Sequence, residues 1–261
     1  MTREKDRAQD RARPAAARSA ANGIRLDIFA DADVAAEKAA AFIAAQVGPA
    51  VSARGRFLLA VSGGRTPWRM LRTLAREPLP WDRIHLFQVD ERVAPAGDPD
   101  RNATHLRACF EGTPLNSDHV HAMPVEDFDL DGAARRYAAT LQELAGTPAT
   151  LDLVHLGLGP DGHTASLVPN DPVLAVTDRD VALTGVYRER RRMTLTYPML
   201  NRARSILWLA TGSDKAEVLP RLRDGDQSIP GGRIRRSGAL IIADQAAAAR
   251  LAAGETSEVQ S

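Results

Sequence analysis

The segment Leu156 to Pro169, LGLGPDGHTASLVP, carries the densest chemical signal in this 261-residue chain. Gly157, Gly159 and Gly162 repeat the G-x-G-x-x-G spacing that, between a strand and a helix, cradles a dinucleotide pyrophosphate. The residues around them argue against that use. Pro160 removes a backbone donor from the loop, and Pro169 with Asn170-Asp171-Pro172 leaves no room for the crossover helix that such a site requires. What the loop does present is His163, directly after Asp161-Gly162, at a position that reads as the start of a short helical turn. A helix N-terminus disfavours imidazolium and keeps the ring neutral, the form a general base needs; the plainer alternative is a histidine that only caps the turn. His85 and His155 fall inside apolar runs and read as packed residues, while His105, His119 and His121 lack a glycine frame.

Three other segments suit an anionic ligand. Ser62-Gly63-Gly64-Arg65-Thr66-Pro67 places two glycines before a helix N-terminus, where free N–H groups and the helix dipole attract phosphate; a tight turn would use the same residues. Lys215 reads as a cation in the first turn of its helix, unfavourable by about 0.3–1 kcal/mol unless an anion binds there, although a solvated lysine tolerates that cost. Asp90, Glu91 and Arg92 end a strand, and since side chains alternate, only some of them point to one side. There is no G-x-S-x-G elbow, no H-E-x-x-H helix and no cysteine nucleophile with a neighbouring base, which leaves water as the attacking group. Nothing in the pattern calls for a metal or an organic cofactor.

The elements that must position these residues alternate along the chain. Strands are expected at 25–29, 57–63, 83–91, 151–159, 193–197, 205–212 and 239–244, and helices near 33–47, 66–76, 131–145 and 214–223. Asp33 is the expected cap of the first helix, and Thr66 that of the second, with Pro67 at its first position. That rhythm predicts an α/β fold with a mostly parallel sheet, in which ligands bind beyond the carboxyl ends of the strands. The stretches 92–130 and 169–190 read as long loops.

Composition limits the rest. A hydrophobic content of 44% allows one large core over residues 23–252, with flexible tails at 1–22 and 253–261. The 34 basic residues against 33 acidic ones give no field that favours nucleic acid or an anionic membrane. No apolar run reaches the roughly 18 residues of a membrane span. Cys109 is alone, so no internal disulfide forms and the thiol reads as a small buried hydrophobe. A cytoplasmic monomer or small homo-oligomer is expected.

Four segments together resemble the family of 6-phosphogluconolactonases and glucosamine-6-phosphate isomerases/deaminases: AVSGGRTP, FQVDERVAP with GDPDRNAT, LGLGPDGHTASLVP, and RRMTLTYPMLNRA followed by LATGSDKAEVL. The resemblance runs in order over about residues 24–250. It implies a Rossmann-like α/β fold, a mostly parallel sheet flanked by helices and modified at its edges, whose partner is a small phosphorylated sugar lactone. The reaction implied is hydrolysis of 6-phospho-D-glucono-1,5-lactone in the oxidative pentose phosphate pathway, without metal. In the deaminase branch the glycine-histidine segment continues into Glu-Pro, whereas here Val168 precedes Pro169, which favours the lactonase. On this reading Ser62, Gly63, Gly64 and Thr66 bind phosphate with Arg92 and Lys215. His163 is the base, Asp161 or Asp90 orients it, and backbone N–H groups or Arg192 meet the oxyanion.

Overall fold

The computed structural model describes residues 18–19 and 23–251. The tails assigned to 1–22 and 253–261 lie outside the described residues, apart from Arg18 and Ser19. The chain begins with β1 (Arg18–Ser19), β2 (Ile24–Phe29), α1 (Ala32–Arg54), β3 (Phe57–Val61), α2 (Arg65–Leu74) and β4 (Ile84–Gln88). It continues through β5 (Asp90–Arg92), α3 (Asn102–Cys109), β6 (Val120–His121), α4 (Leu130–Ala145), β7 (Leu153–Gly157) and β8 (Val181–Leu183). The last elements are β9 (Arg192–Leu195), α5 (Tyr197–Arg202), β10 (Ser205–Ala210), α6 (Val218–Asp224) and β11 (Ala239–Asp244).

The main sheet runs β1-β2-β11-β10-β7-β3-β4-β6, and every pair in it is parallel except the edge pair β1 and β2. Its strands read as nearly continuous apolar runs because both faces are covered. Phe57, Leu59 and Val61 pack with Trp68, Leu71 and Leu106 from α2 and α3, while Leu58 and Ala60 share a cluster with Tyr137 and Leu141 from α4. The order also locates the ligand crevice. From β3 the chain proceeds outward to β4 and β6, then returns to β7 on the other side of β3 and proceeds away from it. The connections therefore diverge between β3 and β7, and the crevice opens beyond Val61 and Gly157.

The remaining strands form a separate antiparallel sheet, β5-β9-β8. The run expected as one strand over 83–91 is accordingly split at Val89, whose N–H continues the parallel ladder to Val61 and whose C=O accepts from Leu195. The expected strand at 193–197 belongs to this second sheet and not to the parallel one. Both stretches read as long loops contain structure: α3 lies within 92–130, and β8 within 169–190.

The helix ends differ from expectation in ways that matter for the site. Asp31, not Asp33, caps α1, its carboxylate accepting from the N–H groups of Asp33 and Val34 at 2.9 Å. Gly64, not Thr66, holds the cap position of α2, and the Thr66 hydroxyl bonds that of Thr211 at 2.7 Å. Pro67 is consequently the third residue of α2, where its missing N–H is still one the helix cannot use. The helix expected at 214–223 is two pieces, a 3₁₀ turn over Ser213–Lys215 and then α6. Lys215 thus stands outside α6, and the dipole conflict expected there does not arise. No described helix is long and apolar enough to cross a membrane.

Candidate active site

Beyond the carboxyl ends of β3 and β7 lies a cleft of about 310 Å³. It brings together Ser62, Gly63, Asp90, Arg92, His163, Arg192 and Lys215 from segments up to 153 residues apart in the chain. Gly64 and Thr66 do not line it. The Ser62 hydroxyl ties the two strand ends, donating to the His155 carbonyl at 3.2 Å and accepting from Gly157 N–H at 3.4 Å.

His163 does not start a helix. It lies in a loop stabilised by the Gly159 N–H bond to its own carbonyl at 2.8 Å and followed by a turn that bridges Thr164 and Leu167. The neutral-ring argument from a helix dipole therefore lapses, and a side-chain contact replaces it. His163 Nδ1 is 2.5 Å from Asp161 Oδ1, which also accepts from the His163 N–H at 3.2 Å. With Nδ1–H donated to the carboxylate, Nε2 keeps its lone pair, and it has no protein partner among the described residues. Burial pushes the Asp161 carboxyl upward, but the charge and hydrogen bonds of His163 outweigh it and hold the group below its ordinary value. Asp90 has other work. It accepts from Ser166 Oγ at 2.5 Å and from Asn102 Nδ2 at 3.4 Å, and lies beside Arg192. Asp161, not Asp90, is the carboxylate in contact with His163.

The glycines of the loop have distinct reasons. A Cβ on Gly159 would lie 2.0 Å from His163 Nδ1 and 2.2 Å from Cε1, so its hydrogen makes room for the ring. Gly162 has φ of 83° and packs against Ile229, where a Cβ would approach that side chain to 2.5 Å. Gly157 faces open space. On the opposite wall a Cβ on Gly63 would fall 2.1 Å from Asn102 Oδ1, so this residue serves a close packing contact as well as the turn.

The cationic wall is built by the second sheet. Glu91, fully buried, accepts the N–H groups of Asn102 and Ala103 at 2.8 and 2.7 Å and so caps α3 from another element. That cap fixes Asn102, whose side-chain oxygen receives Arg92 at 2.8 Å. Arg192 is buried, and desolvation lowers its proton affinity, opposed by Asp90 and reinforced by Arg92 and Arg188. Facing them, Lys215 Nζ rests on Asp214 at 2.7 Å. An anion entering the cleft would meet these guanidinium and ammonium groups together, with α2 starting behind Gly63.

Sequence reasoning did not single out Asn102, Ser166, Tyr187, Arg188 or Asp214. Tyr187 donates to Asp161 Oδ2 at 3.3 Å and lies edge-on to His163, ring centres 5.8 Å apart. Its only local signal is an aromatic residue in an arginine-rich stretch, which does not tell which loop it will meet.

The family model for glucosamine-6-phosphate isomerases/6-phosphogluconolactonase matches residues 30–242. The chain belongs to this family. Among curated members, the 6-phosphogluconolactonase of Synechocystis is 35% identical over 236 residues, covering 87% of this chain and 98% of that protein. The 6-phosphogluconolactonase of Mycobacterium tuberculosis is 36% identical, with the same coverages. Among solved structures, the 6-phosphogluconolactonase of Thermotoga maritima superposes with a TM-score of 0.74 at 25% identity, covering 84% of this chain and 98% of that one. A monomeric glucosamine-6-phosphate deaminase shares the fold at TM-score 0.75 and 18% identity, covering 86% of this chain and 99% of its own. Backbone likeness thus spans both branches of the family, and the choice between them rests on side chains and on the closer sequence relatives.

Proposed function

We propose that the chain hydrolyses 6-phospho-D-glucono-1,5-lactone to 6-phospho-D-gluconate, a step of the oxidative pentose phosphate pathway, in the cytoplasm. One observation carries the reading: His163, with Nδ1 on Asp161 and Nε2 without a partner among the described residues, opens into a cleft lined by Arg92, Arg192 and Lys215. The curated relatives that bear the lactonase name support it.

A lactone is an activated ester, so a positioned substrate, water and one base suffice. The substrate phosphate binds at Ser62 and Gly63 against the start of α2, and Lys215 exchanges Asp214 for it while Arg92 flanks it. This anchoring holds C1 near His163 Nε2. Nε2 takes a proton as water attacks C1, and the carbonyl electrons move onto oxygen, where Arg192 stabilises the charge. Collapse breaks the bond from C1 to the ring oxygen, and the imidazolium returns its proton to that oxygen. Asp161 keeps Nδ1 protonated and steadies the cation between the two steps. Water has then been added across the ester, and the base is restored.

The deaminase reading requires a carboxylate before the proline that ends the glycine-histidine segment. The chain has Val168 there, buried and 4% exposed. A coupled or pH-stat assay on freshly made lactone, measured against the spontaneous rate with chelator present, tests the proposal. His163→Ala should lower kcat roughly 10²- to 10⁴-fold with little change in KM. Unchanged turnover would remove His163 as base, chelator inhibition would contradict a metal-free reaction, and ammonia release from glucosamine 6-phosphate would restore the other branch.

A further inference from the structure

The segment from Thr184 to Arg192 folds back over the cleft as a hairpin. Tyr187 N–H donates to the Arg190 carbonyl at 3.0 Å and Arg190 N–H to that of Tyr187 at 3.4 Å, which leaves a two-residue turn. Its central residues, Arg188 and Glu189, have φ of 50° and 65°. A turn with both residues left-handed is ordinarily built from Asn-Gly or Gly-Gly, because a Cβ is disfavoured there. Arginine and glutamate adopt it here side by side, and Arg188 lines the same cleft as His163 and Lys215. Its guanidinium lies 5.3 Å from the centre of the Tyr187 ring, and among the described residues it makes no hydrogen bond or ion pair. Arg192 lies 5.1 Å from the same ring. An exposed arginine without a carboxylate partner, beside Arg192 and Arg92, adds to a concentration of positive charge that the protein's own acids do not neutralise. Burial is the main reason for the lowered proton affinity of Arg192, Asp90 opposes it, and the nearby charges of Arg92 and Arg188 add to it.

We propose that Arg188 is a ligand-binding residue, held over the cleft by its strained turn to recognise an oxyanion of the sugar phosphate. The proposal rests on the lactonase reading for the identity of that ligand. The product has two such groups, the phosphate and the carboxylate released when the ring opens, and both suit a guanidinium.

Arg188→Asn separates binding from structure, since asparagine tolerates the left-handed conformation and has no charge. Calorimetry with 6-phosphogluconate should show Kd rising about 10-fold in the variant, while Tm stays level or rises by about 1–3 °C as the turn relaxes. A parallel rise in KM for the lactone identifies the phosphate as the group bound, and a rise in product Kd alone identifies the carboxylate; both support the proposal. Binding within twofold of wild type overturns it. Should Arg188→Asn lower Tm, Arg188→Gly, which removes the strain at position 188 and leaves Glu189 unchanged, is read by the same criteria. If wild type binds 6-phosphogluconate yet does not turn over the lactone, the reaction assignment fails while the Arg188 test still reads. If wild type binds no 6-phosphogluconate, both fail.

Discussion

Gly159→Ala tests whether the geometry of one imidazole ring governs turnover. The added Cβ would fall 2.0 Å from His163 Nδ1, 2.2 Å from Cε1 and 2.7 Å from Cγ. Ordinary contact begins near 3.4 Å, so the ring must retreat by more than about 1 Å, and its 2.5 Å contact with Asp161 cannot survive that movement. The backbone has no reason to object, because Gly159 is not among the residues with positive φ. Loss of a positioned base predicts a fall in kcat of about 10²- to 10³-fold, equivalent to roughly 3–4 kcal/mol of transition-state stabilisation. KM and Tm should change little. The assay is steady-state lactone hydrolysis corrected for the spontaneous rate, with Gly159→Ala, His163→Ala and the double variant measured together. Because the glycine acts only through the histidine, the double variant should be no slower than His163→Ala alone. Wild-type kcat in a folded Gly159→Ala protein, or a further large loss in the double variant, would refute the reasoning.

Two further outcomes follow from the same structure. Lys215→Ala should raise KM for the phosphorylated lactone about 10-fold and have a smaller effect on a lactone without phosphate; equal losses on both substrates would reject a phosphate contact. Stability should fall with acid through the half-buried His85 and the buried His155. Burial, then the neighbouring His119, His121 and Arg56, lowers His85 to about 4, and burial lowers His155 to about 3. The unfolded chain, with histidines near 6.5, therefore binds protons first. The stabilisation is complete above about pH 6.5 and is lost as pH falls through the two folded values. His155 alone sets a slope approaching roughly 1.4 kcal/mol per pH unit in that window. Urea denaturation between pH 7.5 and 5, above the range where most carboxylates titrate, reads this directly; a flat profile would contradict it.

Much of the molecule was readable from local pattern. Apolar runs such as FLLAV and ALIIAD, alternating with helical stretches, call for a mostly parallel sheet covered by helices on both faces, which puts the polar segments after them at its carboxyl edge. The loop at 156–169 could be excluded as a dinucleotide site because Pro160 and Pro169 act on their own backbone wherever the chain goes. Local pattern misleads where a side chain has several partners to choose from. Thr66 satisfies the capping pattern, but Thr211 was the nearer partner once β10 had packed beside β7. His163 reads locally as the start of a short helical turn; in the fold no helix begins there, and Asp161 supplies its contact instead.

What remained undecided by sequence was everything set by a meeting of distant segments. Asp90 and Asp161 are both carboxylates near a strand end, and only the split of the third strand into a second sheet turns Asp90 toward Ser166 and leaves Asp161 on His163. Arg188 and Glu189 are not turn-forming residue types and their stretch has no apolar period, so nothing local announces a turn at that point. That hairpin exists because β8 and β9 pair and carry the intervening residues over the cleft. Residue type and spacing determine which chemistry a segment can offer, since those depend on bonds within the segment. Which offers are combined depends on long-range pairing, whose energy is shared across the whole sheet and written in no single stretch.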